Sequence, residues 1–206
     1  MIPATRTLDV AALPTYTISN KAPLFWGQIL LCVIEGTMFC MLIAIYFYLR
    51  LGVDVWPPPG MQIPDLGVAS LAWIPLLLSC LGSYWASEAA KKDSRAGMIG
   101  GLAVNLILAI VFLGFRYISW RAMNFNWAAD AHGTIVWTIL FLHSLDVFAD
   151  LLFTLVLIVI IAIGRHGPKQ RLGVHVDSVV WYFLVAIWLP LYAVVYWGPY
   201  LVGTHR

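Results

Sequence analysis

Apolar residues fall into five long uninterrupted runs, roughly Phe25 to Leu49, Val68 to Ser87, Met98 to Ser119, Thr134 to Gly164 and Val179 to Tyr200. A helix needs about 20 mostly apolar residues to cross the hydrocarbon core of a bilayer, and each run meets that length. The runs are continuous, without the ten-residue alternation of barrel strands, so they predict helices. Little chain is left for connections. The expected fold is all-α, an integral membrane bundle of five transmembrane helices, with residues 1–24 as a cytoplasmic N-terminal tail and 25–206 as the transmembrane domain. The tail holds Pro3, Pro14 and Pro23. It has no basic start running into a short apolar core and a small-residue cleavage site, so it does not read as a cleaved signal peptide.

Composition agrees with the pattern. Of 206 residues 62% are hydrophobic and 11% charged, and the mean hydropathy is +0.87. A soluble domain is about half apolar and about a quarter charged, so this chain belongs in lipid. A net charge of +2, spread over several loops, offers no face for nucleic acid. Cys32, Cys40 and Cys80 all lie inside predicted helices, where they act as small apolar residues and give neither a disulfide framework nor metal-ligand spacing.

Lys and Arg in short loops set the orientation of a multi-pass protein. The tail and the segments 88–97 and 165–178 fall on one side, with Arg6, Lys21, Lys91, Lys92, Arg95, Arg165, Lys169 and Arg171, eight in all. The other side has four, Arg50, Arg116, Arg121 and Arg206. This predicts the N-terminus in the cytoplasm and the C-terminus outside. Trp56, Trp120, Trp127 and Trp197 then lie near outer helix ends, a position suited to interfacial anchoring.

Ionisable side chains in the bilayer core cost a few kcal/mol each, so the few present carry the most information. They are Glu35 in the first helix and His143, Asp146 and Asp150 in the fourth. The last three are spaced i, i+3, i+7 and share one helix face, which should look into protein. Interhelical hydrogen bonding accounts for such a stripe, and a proton or ion route is the competing reading. A metal centre is disfavoured, because no second Glu-x-x-His pair of the di-iron kind exists. A bis-histidine haem site is disfavoured too. Only His143 lies well inside a helix, with His132 at a helix start and His166, His175 and His205 in loops or the tail. Gly97-x-x-x-Gly101 and Ser79-x-x-x-Ser83 read as close-packing pairs, Pro75 and Pro190 as helix kinks, and Lys91, Lys92 and Arg95 as headgroup contacts.

Three segments carry a resemblance. Trp26 to Arg50 reads W-G-Q-I-L-L-C-V-I-E-G-T-M-F-C-M-L-I-A-I-Y-F-Y-L-R and is followed by Trp56-Pro57-Pro58; Leu76 to Ala86 reads L-L-L-S-C-L-G-S-Y-W-A; Trp181 to Trp197 reads W-Y-F-L-V-A-I-W-L-P-L-Y-A-V-V-Y-W. Together they resemble subunit III of the haem-copper terminal oxidases in its short five-helix bacterial form. Glu35 falls at that family's buried glutamate, and Trp56, Pro57 and Pro58 match its outer loop. Two motifs differ. Where the family usually has Gly-x-His-Gly-x-His-Val, Phe141 to Val147 keeps His143 and puts Asp146 in place of the second histidine. The usual Trp-His-Phe-x-Asp of the last helix is met by Trp181 to Val185, without its polar members. A glutamate common at the end of the third helix is absent near Phe115 to Trp120, and roles tied to these residues do not carry over.

The resemblance implies a non-catalytic subunit of the bacterial inner membrane, packed on oxidase subunit I and in one hetero-oligomeric respiratory complex with subunit II. It implies bound phospholipid, support of proton uptake through Glu35, and haems and copper on the partners with no cofactor or metal on this chain. The single in-membrane histidine agrees with a chain that holds no redox centre. Two alternatives stand beside it, the accessory membrane protein of nitric-oxide reductase, which belongs to the same family, and an independent proton or ion transporter using Glu35, His143, Asp146 and Asp150. Enzyme activity by the isolated chain is not indicated, since no nucleophile–base pair or Gly-rich phosphate loop is legible.

Overall fold

The computed structural model describes residues 18, 22–62 and 64–201, which excludes most of the expected 1–24 tail. Long helices dominate: α1 Pro23–Leu51, the short α2 Leu66–Leu71, α3 Trp73–Lys91, α4 Arg95–Ala122, α5 Ala131–Ala162 and α6 Pro168–Tyr192. A π-helical turn, Ala193–Trp197, and the four-residue α7, Gly198–Leu201, close the described chain. Five units are long and apolar enough to span a membrane, with α2 and α3 counting as one and α6 running on to Tyr200. No strand occurs among the described residues.

The helix starts follow from local chemistry. Pro23 and Pro168 open α1 and α6, where a missing N–H costs nothing. Asp65 accepts from Gly67 N and Val68 N at 3.2 Å, Ser94 Oγ accepts from Gly97 N at 3.3 Å, and Asp130 Oδ1 accepts from Gly133 N at 2.8 Å. Each supplies an acceptor to an otherwise orphaned first-turn N–H. The second span breaks at Ala72, between α2 and α3, three residues before Pro75. Pro190 precedes the π-helical turn, as expected where a proline removes a backbone donor.

Lipid gives no hydrophobic drive to hold helices together, so close contact must come from small residues and interhelical hydrogen bonds. The most extensive packing is α3 on α4, and Gly82 and Gly101 make it. A Cβ on Gly101 would strike the Ala86 backbone and come to 2.7 Å from Gly82 O, and one on Gly82 would come to 2.8 Å from Asn105 N. On the neighbouring face of α3, Trp181 Nε1 donates to Ser79 Oγ at 2.8 Å, and Ser178 Oγ donates to Ser83 O at 3.0 Å. The two expected small-residue pairs thus serve different interfaces, α4 through glycine and α6 through serine. Helix α1 packs on the bundle chiefly through α5 and α6. Its outward residues Leu30, Ile34 and Met41 are 62%, 64% and 67% exposed, a lipid-facing stripe.

The largest difference from the expected elements is the last helix, which begins at Pro168 and not near Val179. His175 and Asp177, read as loop residues, are helical. Because the α3–α4 contact leaves no room for a side chain, Gly101→Leu should destabilise the fold by at least the ~1–3 kcal/mol of ordinary overpacking. Detergent-denaturation midpoints should show this, with Gly114→Leu, where a Cβ meets nothing within 4 Å, near wild type.

Candidate functional site

A cavity of about 200 Å³ lies between α1, α5 and α6. Gln28, Leu31 and Glu35 reach it from α1 at i, i+3, i+7, and Asp146, Ala149, Asp150 and Phe153 reach it from α5 on one face. Val176, Val180 and Leu184 of α6 close the back. Three of the expected acids, Glu35, Asp146 and Asp150, therefore meet in one place. No basic residue lines it. Asp150 is only 7% exposed and Asp146 half-buried, and each has an Oδ2 with no hydrogen-bond partner.

A fourth carboxyl stands beside this group. Asp177 on α6 is fully buried; its Oδ1 accepts from Thr154 Oγ1 at 3.0 Å and its Oδ2 has no partner. Thr154 is one helical turn beyond Asp150 on the same face of α5, so Asp177 docks where the acidic stripe continues. Among the described residues no three His, Cys, Asp or Glu side chains come together closely enough to hold a metal ion.

His143 belongs to a different environment. It is buried and does not line the cavity. Its Nε2 donates to Leu184 O at 3.1 Å, and its ring packs among Trp188, Phe112 and Phe39, with centroids 4.9, 6.2 and 6.3 Å away. The expected one-face stripe is split between an aromatic compartment and a polar one. Arg116 shares the aromatic compartment. It was expected at the outer surface, yet it is only 3% exposed, with its guanidinium carbon 3.7 Å from the Trp188 ring centroid and 5.2 Å from that of Phe112. The ring face supplies the negative potential that lipid cannot.

The outer loop corrects a second expectation. Trp56 is no interfacial anchor; it is 3% exposed, and Nε1 donates to Tyr46 Oη at 2.9 Å. Its ring meets His132 edge-on at 4.6 Å. The Trp56–Pro57 peptide is cis, and Trp56 and Pro58 wall an outer cavity against the start of α5. Trp127 and Trp197 do fit the anchoring role, being 67% and 47% exposed.

The family model described as cytochrome c oxidase subunit III matches residues 9–200. The chain belongs to that family. Among curated relatives, "Cytochrome c oxidase subunit 3" of Marchantia polymorpha is 26% identical over 188 residues, covering 88% of this chain and 71% of the relative. The protein of the same name from Pyricularia grisea is 28% identical over 190 residues, covering 89% and 71%. That of Thermostichus vulcanus is 26% identical over 173 residues, covering 82% and 85%. The resemblance read from Glu35 and Trp56-Pro57-Pro58 is thereby established. The chain is a subunit III of a terminal oxidase, multi-pass in its membrane, and such a subunit implies a hetero-oligomeric complex.

The last helix carries two further polar residues upstream of Trp181, in the segment expected as a loop: His175, whose Nδ1 is 2.9 Å from Ser87 Oγ, and Asp177. The missed signal was Pro168, a helix-opening proline ahead of a polar segment that was taken for a loop. In the outer loop, Trp56→Phe keeps the ring packing but strands the buried Tyr46 hydroxyl, and should cost about 1 kcal/mol in denaturant titrations. Trp127→Phe, at an exposed ring, should cost about 0.5 kcal/mol or less.

Proposed function

We propose that this chain packs on the catalytic subunit of a haem-copper oxidase, in one complex with subunit II, and supports proton uptake through the Glu35 cavity. The observation that carries the reading is the convergence of Glu35, Asp146 and Asp150 on one cavity without a basic residue. Carboxyl groups in so apolar a setting are kept where protons are handled, because each is expensive to hold there. Haems and copper belong to the partners in this reading. Phospholipid fits the grooves beside α1, which packs chiefly on α5 and α6 and leaves its apolar face open.

The N-terminus is assigned to the cytoplasm by the eight-to-four Lys and Arg count, and the protein to a bacterial inner membrane. Arg116 is buried and does not act as a loop charge, so the outer count becomes three and the bias strengthens. A reporter active only in the cytoplasm should be silent when fused after Arg206 and active when inserted between Lys92 and Asp93. The reverse result would invert the assignment.

In the purified complex, Glu35→Ala should leave assembly intact, slow proton uptake several-fold and hasten inactivation during turnover. Wild-type values for both rates would remove the proton role. Co-purification separates the oxidase from its nitric-oxide reductase counterpart: a-type haem with copper marks the first, non-haem iron the second.

A further inference from the structure

Asp177 is the group that the cavity alone does not explain. Asp150 lines the cavity and is more than nine-tenths buried, with Oδ2 unpartnered. Asp177 is wholly buried against the same turn of α5, tied by Oδ1 to Thr154 and with Oδ2 also unpartnered. Thr154 follows Asp150 by one turn on the same face of α5, so its hydrogen bond brings the Asp177 carboxyl alongside that of Asp150. The titratable groups facing them are Glu35 and Cys32 of α1 and Asp146 of α5, all acids or thiols. Neither carboxyl makes an ion pair, since the bridges among the described residues are Lys91–Glu88 and Arg171–Asp93, near helix ends.

Neighbouring carboxyls with orphaned oxygens and no ion-pair partner satisfy one another when an O–H of one donates to the O of the other. We infer that Asp150 and Asp177 form a proton-storing pair, filled and emptied through the Glu35 cavity. Thr154 fixes Asp177 by donating to Oδ1, which leaves the unpartnered Oδ2 for the shared proton. Asp150 is the member in touch with the cavity, whose volume takes a few waters at about 30 Å³ each. The step is a proton transfer from a hydronium ion carried along the cavity water to an Asp150 carboxylate oxygen, which leaves a neutral water in the chain. This inference rests on the reading of the cavity as a proton site, but its test is separate from oxidase turnover.

The experiment is infrared spectroscopy of the purified full-length chain in H₂O and D₂O, following the C=O stretch of protonated carboxyls. Wild type should show a band that shifts down in D₂O. The isosteric double variant Asp150→Asn/Asp177→Asn should lose the intensity of one carboxyl. Thr154→Val, which keeps shape and removes the donor, should shift the band without weakening it. Ala149→Phe, which fills the cavity from α5 and leaves both acids in the chain, should slow exchange of the band by at least tenfold. Unchanged band intensity in the double variant, or unchanged exchange in Ala149→Phe, overturns the proposal. Should the double variant fail to fold, the Thr154→Val shift and the Ala149→Phe exchange decide alone: both present supports the pair, either absent refutes it. If Glu35→Ala leaves turnover unchanged while the band behaves as described, the storage pair stands and its use by an oxidase falls.

Discussion

Hydrocarbon solvates neither charge nor unpaired backbone, and the rest of this structure follows from that constraint. Four acids, a histidine and an arginine sit at membrane depth in a chain that is 62% hydrophobic. The bundle has to enclose all of them, and it does so by bringing the other helices close. With Gly82 and Gly101 in contact, α3 and α4 approach until their backbones nearly touch. The wider spaces then fall elsewhere, and one of them lies between α1, α5 and α6, where three acids line a cavity. Tight packing on one side of α6 and looser packing on the other are two parts of one solution. On the tight side, Ser79 and Ser83 bond to α6 through its Trp181 and Ser178; on the loose side, α6 presents Asp177.

The positive and negative groups are enclosed separately. A salt bridge between Arg116 and one of the acids would satisfy both in principle, but none forms among the described residues. Arg116 lies on the face of Trp188 instead, and desolvated contacts of that kind contribute about 2 kcal/mol or more. The acids keep free oxygens. A carboxylate paired with arginine is held ionised, whereas one without a cationic partner is not. Keeping the arginine on an aromatic ring leaves the acidic cavity without a counter-charge.

Much of this was legible in the sequence, for reasons that can be stated residue by residue. Five helices followed from run length alone. Glu35, Asp146 and Asp150 could be picked out because an ionisable residue inside an apolar run is conspicuous, and their spacing put the two aspartates on one face. Asp177 was hidden by its company: Arg165, Lys169, Arg171 and His175 make the segment read as a loop, though it is helical from Pro168. Arg116 was misplaced because a cation six residues from a helix end resembles one that snorkels to the surface. What holds it inward is Trp188 on α6, a contact made only in three dimensions. The same applies to Trp56, whose burial depends on Tyr46 one turn from the end of α1 and on His132 at the start of α5.

The three acids on α5 and α6 are also ordered in burial. Asp146 is half-buried, Asp150 is 7% exposed and Asp177 fully enclosed. With the N-terminus in the cytoplasm, as proposed, α5 descends toward the inside, so Asp146, Asp150 and Thr154 are met in that order going inward. Thr154 then lies about 12 Å above the inner end of α5, and Asp177 about 14 Å above the inner start of α6, at 1.5 Å per residue. The most enclosed acid is thus on the cytoplasmic side and the most open one nearer the middle of the bilayer. The cavity is thus lined by the more open acids, and Asp177 stands behind them, out of its lining. That order of enclosure, more than any single carboxyl, is what α5 and α6 together provide.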